Sequence, residues 1–124
     1  MHLAQSALSE AILANPSRGL NISNKGESHL RQKQYEAAIK HFKQALNLSS
    51  GEEWAGLRLD CLKNLVFAYF KLAKLEEAAE ILAEVVAQDP RCGASHRYLA
   101  HYYKALGEDW LSQWHLREAR QLGE

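Results

Sequence analysis

Residues 75–90 read Leu-Glu-Glu-Ala-Ala-Glu-Ile-Leu-Ala-Glu-Val-Val-Ala-Gln-Asp-Pro. Ala78, Leu82 and Val85 follow one another at intervals of four and three, so a helix brings them to one face. Pro90, five residues on, cannot continue that helix. The same order of compact residue, large apolar residue and compact residue recurs three more times: as Ala4, Leu8, Ala11 before Pro16, as Ala38, Phe42, Ala45 before Ser50, and as Ser112, Leu116, Ala119. The first members are spaced by 34, 40 and 34 residues. A period near 34 built from helices marks a repeat architecture, in which each unit buries its apolar face only against its neighbours. It predicts a protein that binds something, without saying what.

Helical spacing fills the chain between these segments, and no alternating strand pattern competes with it. Asn15-Pro16-Ser17-Arg18-Gly19 reads as the end of a first helix. A second is predicted from about Asn21 to Lys33 and a third from Tyr35 to Leu48, its stripe made of Ala38, Ile39, Phe42, Ala45 and Leu46. Ser50 and Glu53 have the spacing of a capping box. That predicts a long fourth helix from near Gly51 to Ala73, carrying Trp54 and absorbing the six extra residues of the 40-residue interval. The fifth runs from Leu75 to Gln88, the sixth from Gly93 to Leu106 with Gly107 as its cap, and the seventh from Asp109 to Leu122. Short turns make consecutive helices antiparallel neighbours. The expectation is one domain, residues 1–124: a lone helix (1–18), then pairs over 19–50, 51–90 with its extended first helix, and 91–124.

Bulk properties remove several function classes. Fifteen basic residues balance fifteen acidic ones, so no global field draws in nucleic acid or an anionic membrane. No apolar stretch approaches the ~20 residues of a membrane span, and Met1-His2-Leu3-Ala4-Gln5-Ser6 has no basic start or apolar core of a signal peptide. Cys61 and Cys92 lie far apart, which suits two free thiols in the cytoplasm. Metal, cofactor and catalytic sites are not expected. His96 and His101 are five apart on one helix, and His29, His41 and His115 fall on separate helices. The paired acids Glu52-Glu53, Glu76-Glu77 and Glu108-Asp109 each stand at a helix start, where anions favour the macrodipole.

Taken in register, the chain resembles the tetratricopeptide repeat family, with about three and a half copies. The first pair offers Gly26, Tyr35, Ala38, Phe42 and Ala45. The second offers Leu62, Leu65, Tyr69, Leu75, Ala78, Leu82, Val85 and Pro90. The third offers Leu99, Tyr103, Leu106-Gly107, Leu116 and Ala119, with Ser112 where alanine is usual. The lone first helix matches the second half of a repeat. The resemblance implies an all-α fold, a right-handed superhelix of antiparallel pairs in a TPR-like α-solenoid, with Ala38, Ala78 and Ser112 at close helix crossings and Tyr69 and Tyr103 filling the gap between pairs.

It also implies a function: a non-enzymatic adaptor or scaffold that binds a peptide or protein segment on its concave side. The lining positions would be Ser23, Asn24 and Glu27, then Asp60, Lys63, Asn64 and Phe67, then Arg97, Tyr98 and His101, with Lys71 and Lys104 at the rim. Lys63 and Arg97 would hold a carboxylate, with Phe67 and Tyr98 as apolar anchors. The carboxylate clamp of some co-chaperones is matched at Asn64 alone; Ser23, Glu27, Ala94 and Tyr98 depart from it, which argues against that activity. Two alternatives stand beside this reading. One is self-association, as a homo-oligomer or a continuation of a longer array, through the half-repeat and the helix bearing Trp110 and Trp114. The other is a small chaperone that holds a secreted or assembling protein.

Overall fold

A computed structural model describes residues 16–123. Among them are six α-helices and no strand: α1 (Pro16–Arg31), α2 (Tyr35–Leu48), α3 (Ala55–Lys71), α4 (Leu75–Gln88), α5 (Gly93–Ala105) and α6 (Asp109–Gln121), with a 3-10 turn, Glu52–Trp54, ahead of α3. They pack in sequence as three antiparallel hairpins, α1 on α2, α3 on α4 and α5 on α6, stacked into the expected right-handed superhelix.

The crossings follow from small residues. Ala38 and Ala78 are fully buried and Ser112 nearly so. Ser112 replaces alanine at no loss, because its Oγ donates to the Ala100 carbonyl at 2.8 Å and leaves no orphaned polar atom. Phe42 sits against Gly26, where a Cβ would lie 2.8–3.0 Å from the ring. The core gathers Ala38, Ile39, Phe42 and Ala45 of α2, Cys61, Leu65, Ala68 and Tyr69 of α3, and Ala78 of α4. Tyr69 is buried there as expected. Tyr103 instead stacks on His115 of its own hairpin, rings 5.4 Å apart and 7° from parallel.

Three expectations are corrected. Residues 16–19 are helical, part of α1 and not a turn. Proline is tolerated in a first helical turn, and Gly19 is a contact point: a Cβ there would collide with the Ser49 side chain. The capping box does not form; neither Gly51 nor Trp54, the residues capping the 3-10 turn and α3, makes a side-chain cap bond. The extra residues are held another way, by Arg58, whose Nη1 donates to the Ser49 carbonyl at 2.8 Å and the Gly51 carbonyl at 2.7 Å. The long helix is therefore a 3-10 turn followed by the 17 residues of α3. The lone first helix over residues 1–15 lies outside the described residues.

Candidate binding groove

The first helices of the second and third hairpins, α3 and α5, enclose an open cleft of about 520 Å³. Phe67, Phe70 and Lys71 line it from α3, and Ala94, Arg97, Tyr98 and His101 from α5. Positions 67, 70 and 71, like 94, 97, 98 and 101, recur at three- and four-residue intervals, so each set shares a helix face. Phe70 lies 4.7 Å from the Tyr98 ring and 5.7 Å, edge-on, from His101. The floor is thus one run of aromatic contacts crossing from helix to helix. The Lys71 ammonium stands over the Phe67 ring, 5.4 Å from its centroid, and Phe67 meets Tyr35 edge-on. Burial pushes the Tyr98 phenol pKa up, so its hydroxyl is neutral and presents a hydrogen bond, not a charge.

Two further cavities continue the cleft. One, about 230 Å³, shares Phe67, Ala94 and Tyr98 and reaches Lys63, Asn64 and Cys92 as well as the apolar Val66, Leu82 and Val85. The other, about 350 Å³, shares Arg97 and His101 and runs past Lys104 to Gln113 and Leu116 of α6. Asn64, Lys63, Phe67, Arg97, Tyr98 and His101 are therefore brought together along one surface.

The first hairpin does not join them. Asn24 is exposed and Glu27 half-buried on α1, and neither lines these cavities. Ser23 is buried, accepting a hydrogen bond at 3.5 Å from the Cys61 thiol, so it is a packing residue and not a lining one. The same burial raises the Cys61 pKa and keeps the thiol neutral and unreactive. Lys63 is paired with Asp89 at the end of α4, 3.1 Å away, and that hydrogen bond raises its pKa. A partner carboxylate at Lys63 would have to compete with Asp89. Lys104 and Asp109 lie 3.9 Å apart, both largely exposed, a pair of little energetic weight.

Phe70 is a lining residue that the sequence reading does not supply. It stands three residues after Phe67, on the same helical face, and that spacing is the available signal; the neighbouring Tyr69, a core residue, masks it. The histidines, scattered over separate helices in the sequence, are paired by the fold within hairpins. His29 stacks on His41 at 4.9 Å, and His96 Nδ1 lies 3.0 Å from His115 Nδ1. Burial, and secondarily the facing histidine, lowers the pKa of His41 and of His115. Among the described residues no three His, Cys, Asp or Glu side chains converge on a metal-sized space. Trp110 is 69% exposed and Trp114 partly so. They occupy the places held by Glu76 and Glu80 in α4, which stay exposed although α5 and α6 stack beyond them. The tryptophans thus mark the outer flank of α6.

A family model described as tetratricopeptide repeat matches residues 29–102. No curated protein matches the chain. Of 32 matching chains of known structure, one is a point mutant of MamA, with a TM-score of 0.74, 17% identity, and coverage of 100% of this chain and 86% of that one. Identity that low carries the fold and nothing further. No described helix is long and apolar enough to cross a membrane.

Proposed function

The chain belongs to the tetratricopeptide repeat family, and we propose that it is a non-enzymatic protein-interaction module whose α3–α5 cleft holds a segment of a partner protein. Protein interaction is the general business of this family; the segment and its seat are the proposal. The observation that carries it is the cleft itself: half-buried aromatic side chains from two successive hairpins, Phe67, Phe70 and Tyr98, converge on one open concave space. Phe67, Phe70 and Tyr98 supply apolar anchors, Asn64 and the Tyr98 hydroxyl hydrogen bonds, and Arg97 and Lys71 charge. Asn24 and Glu27 of α1 would meet only a segment long enough to leave the cleft. The two free thiols, Cys61 and Cys92, suit a cytoplasmic adaptor or scaffold.

Affinity capture from native lysate, quantified by mass spectrometry, tests this. A specific partner should be retained by the parent chain and by Trp110→Ala, and lost on Phe70→Ala with Tyr98→Ala. A partner lost on Trp110→Ala alone would move the interaction to the outer flank of α6.

The exposure of Trp110 and Trp114 favours a second reading, self-association through that flank. Light scattering over a concentration series separates the two. A monomer at every concentration removes self-association, whereas a concentration-dependent dimer abolished by Trp110→Ala supports it.

A further inference from the structure

Helix α6 carries a stripe that its own fold does not use. Trp110, Trp114, Arg117 and Gln121 recur at intervals of four, three and four residues and are all exposed, while Ser112 and Ala119 on the opposite face are buried. Leu106, just ahead of α6, adds a further exposed apolar side chain. Trp114 is held edge-on to His115 at 4.8 Å and to His96 at 6.3 Å, so its ring is oriented before any partner arrives. A further hairpin stacked on α6 would not cover this stripe. Leu82 of α4 reaches the junction with α5, and its counterpart one repeat on is Leu116, on another face of α6 from the tryptophans. Continuing the array end to end therefore leaves Trp110 and Trp114 in solvent.

Resting on the self-association reading above, we infer that this stripe docks on a second copy of the chain, with the two α6 helices antiparallel about a two-fold axis. The intervals four, three and four read the same in both directions. A reversed copy therefore sets Trp114 against Arg117 and Trp110 against Gln121, each twice. An arginine opposite an indole makes a cation–π contact, and no two tryptophans compete for one space. Asp109 and Arg120 flank the stripe on one side, at opposite ends of the helix, so the same pairing brings each Asp109 within reach of Arg120 of the other copy. Lys104 stands 3.9 Å from Asp109, but both are largely exposed and the pair is weak. A parallel pairing would set like charges together and align the two helix dipoles unfavourably. Fifteen basic and fifteen acidic residues leave no net charge to hold two copies apart. One helix face per copy is a small interface, so the dimer is a weak one that forms at micromolar concentration. The contact is isologous, so assembly closes at two copies.

Sedimentation equilibrium of the full chain over a concentration series reads the dimer, and a short bismaleimide reads its geometry. In the antiparallel register, position 113 lies about 7 Å along the helix axis from its symmetry mate and position 121 about 16 Å from its own. Cys61 is buried, so in a Cys92→Ser background Gln113→Cys should cross-link to a dimer and Gln121→Cys should not. Arg117→Glu should weaken the dimer about ten-fold, and added salt should weaken it as well. Trp110→Ala with Trp114→Ala should abolish it. Positions 110, 113, 114, 117 and 121 are exposed, and helical circular dichroism checks that each variant folds. Cross-linking at both positions, as a parallel pair gives, or at neither, or masses growing beyond the dimer, would overturn this inference and leave self-association through the α6 flank standing. A dimer that survives the double tryptophan change, or a parent chain that stays monomeric at every concentration, would overturn both.

Discussion

Lys33, Ala73 and Gly107 all hold left-handed backbone, with φ of 60°, 60° and 78°. They lie 40 and 34 residues apart, the intervals of the repeat itself. Each closes the first helix of a hairpin in the same way. Gln34, Lys74 and Glu108 donate backbone N–H to the carbonyls of His29, Tyr69 and Tyr103 at 2.8–2.9 Å, the Schellman arrangement that glycine accepts most readily. Only the third hairpin has glycine there. Ala73→Gly should therefore raise stability by about 1 kcal/mol, since a side chain at positive φ costs ~1–2 kcal/mol; the midpoint of urea unfolding measures it, and an unchanged or lower midpoint contradicts the argument. Gly26 faces the opposite constraint. Gly26→Ala should cost about 1–3 kcal/mol through the clash with Phe42, less the gain in helix propensity. Adding Phe42→Leu should recover part of that loss, because the pair then matches Ala100 and Leu116 of the third hairpin. Buried Ala78 tests the crossing most severely: Ala78→Glu overpacks it and buries a charge, for a loss of several kcal/mol in thermal unfolding.

Helix α1 shows how an element can form against its own propensities. Its sequence, PSRGLNISNKGESHLR, holds a proline and two glycines in 16 residues and would be a poor helix alone. Both glycines lie where α2 comes closest, Gly19 beside Ser49 and Gly26 beside Phe42. What reads locally as a breaker is a device for close approach. The hairpins α1–α2 and α5–α6 each carry a histidine pair, which gives their stability a pH dependence of definite sign. His41 is faced by His29, Lys25 and Lys40, whose charges add to the effect of burial, while the nearby Gln44 side chain opposes it. His115 is faced by His96 and Glu118. Both have folded pKa values below the ordinary 6.5, so the unfolded chain takes up protons first. Their contribution is complete above about pH 6.5 and is lost as pH falls from there toward the depressed values. Urea midpoints should drop through that range and drop less in His115→Phe, which keeps a ring stacked on Tyr103; equal pH profiles for the two proteins would contradict this. Arg58 governs the junction between the first two hairpins. Arg58→Met removes its two charge-assisted bonds and should cost about 1.5–3 kcal/mol, with the earliest loss of amide protection in the 3-10 turn and the first turn of α3.

At the scale of the whole molecule, stability is unevenly spread. The core cluster draws on α2, α3 and α4 and takes nothing from α5 or α6, and the α4–α5 contact is the thinnest between successive helices. A cavity of about 230 Å³ lies at that same junction. Repeat arrays behave as coupled neighbours, so a weak junction lets one unit open ahead of the rest. Amide exchange in α5 and α6 should therefore proceed at a lower opening free energy than in α2 and α3; uniform protection across the six helices would contradict it. The α3–α5 cleft spans this junction, with Phe67 and Phe70 on one side and Tyr98 and His101 on the other. A segment seated there, as proposed, would tie the third hairpin to the second and link binding to stiffening.

The sequence by itself determined the helices, their pairing and their close crossings, because apolar spacing and small residues act over a few positions and survive in any local reading. Ala38, Ala78, Ser112, Leu82 and Gly107 were legible for that reason, whereas Phe67, Tyr98 and Arg97 were reached through the family resemblance, which puts the first helix of each pair on the concave side. Tertiary structure decided what depends on the second partner of each contact. It buried Ser23 against Cys61, engaged Lys63 with Asp89, joined Phe70 to Tyr98, and stacked histidines that lie 12 and 19 residues apart. It also turned Gly19 from a stop into a point of contact, because whether a missing side chain ends a helix or admits a neighbour depends on whether a neighbour is there.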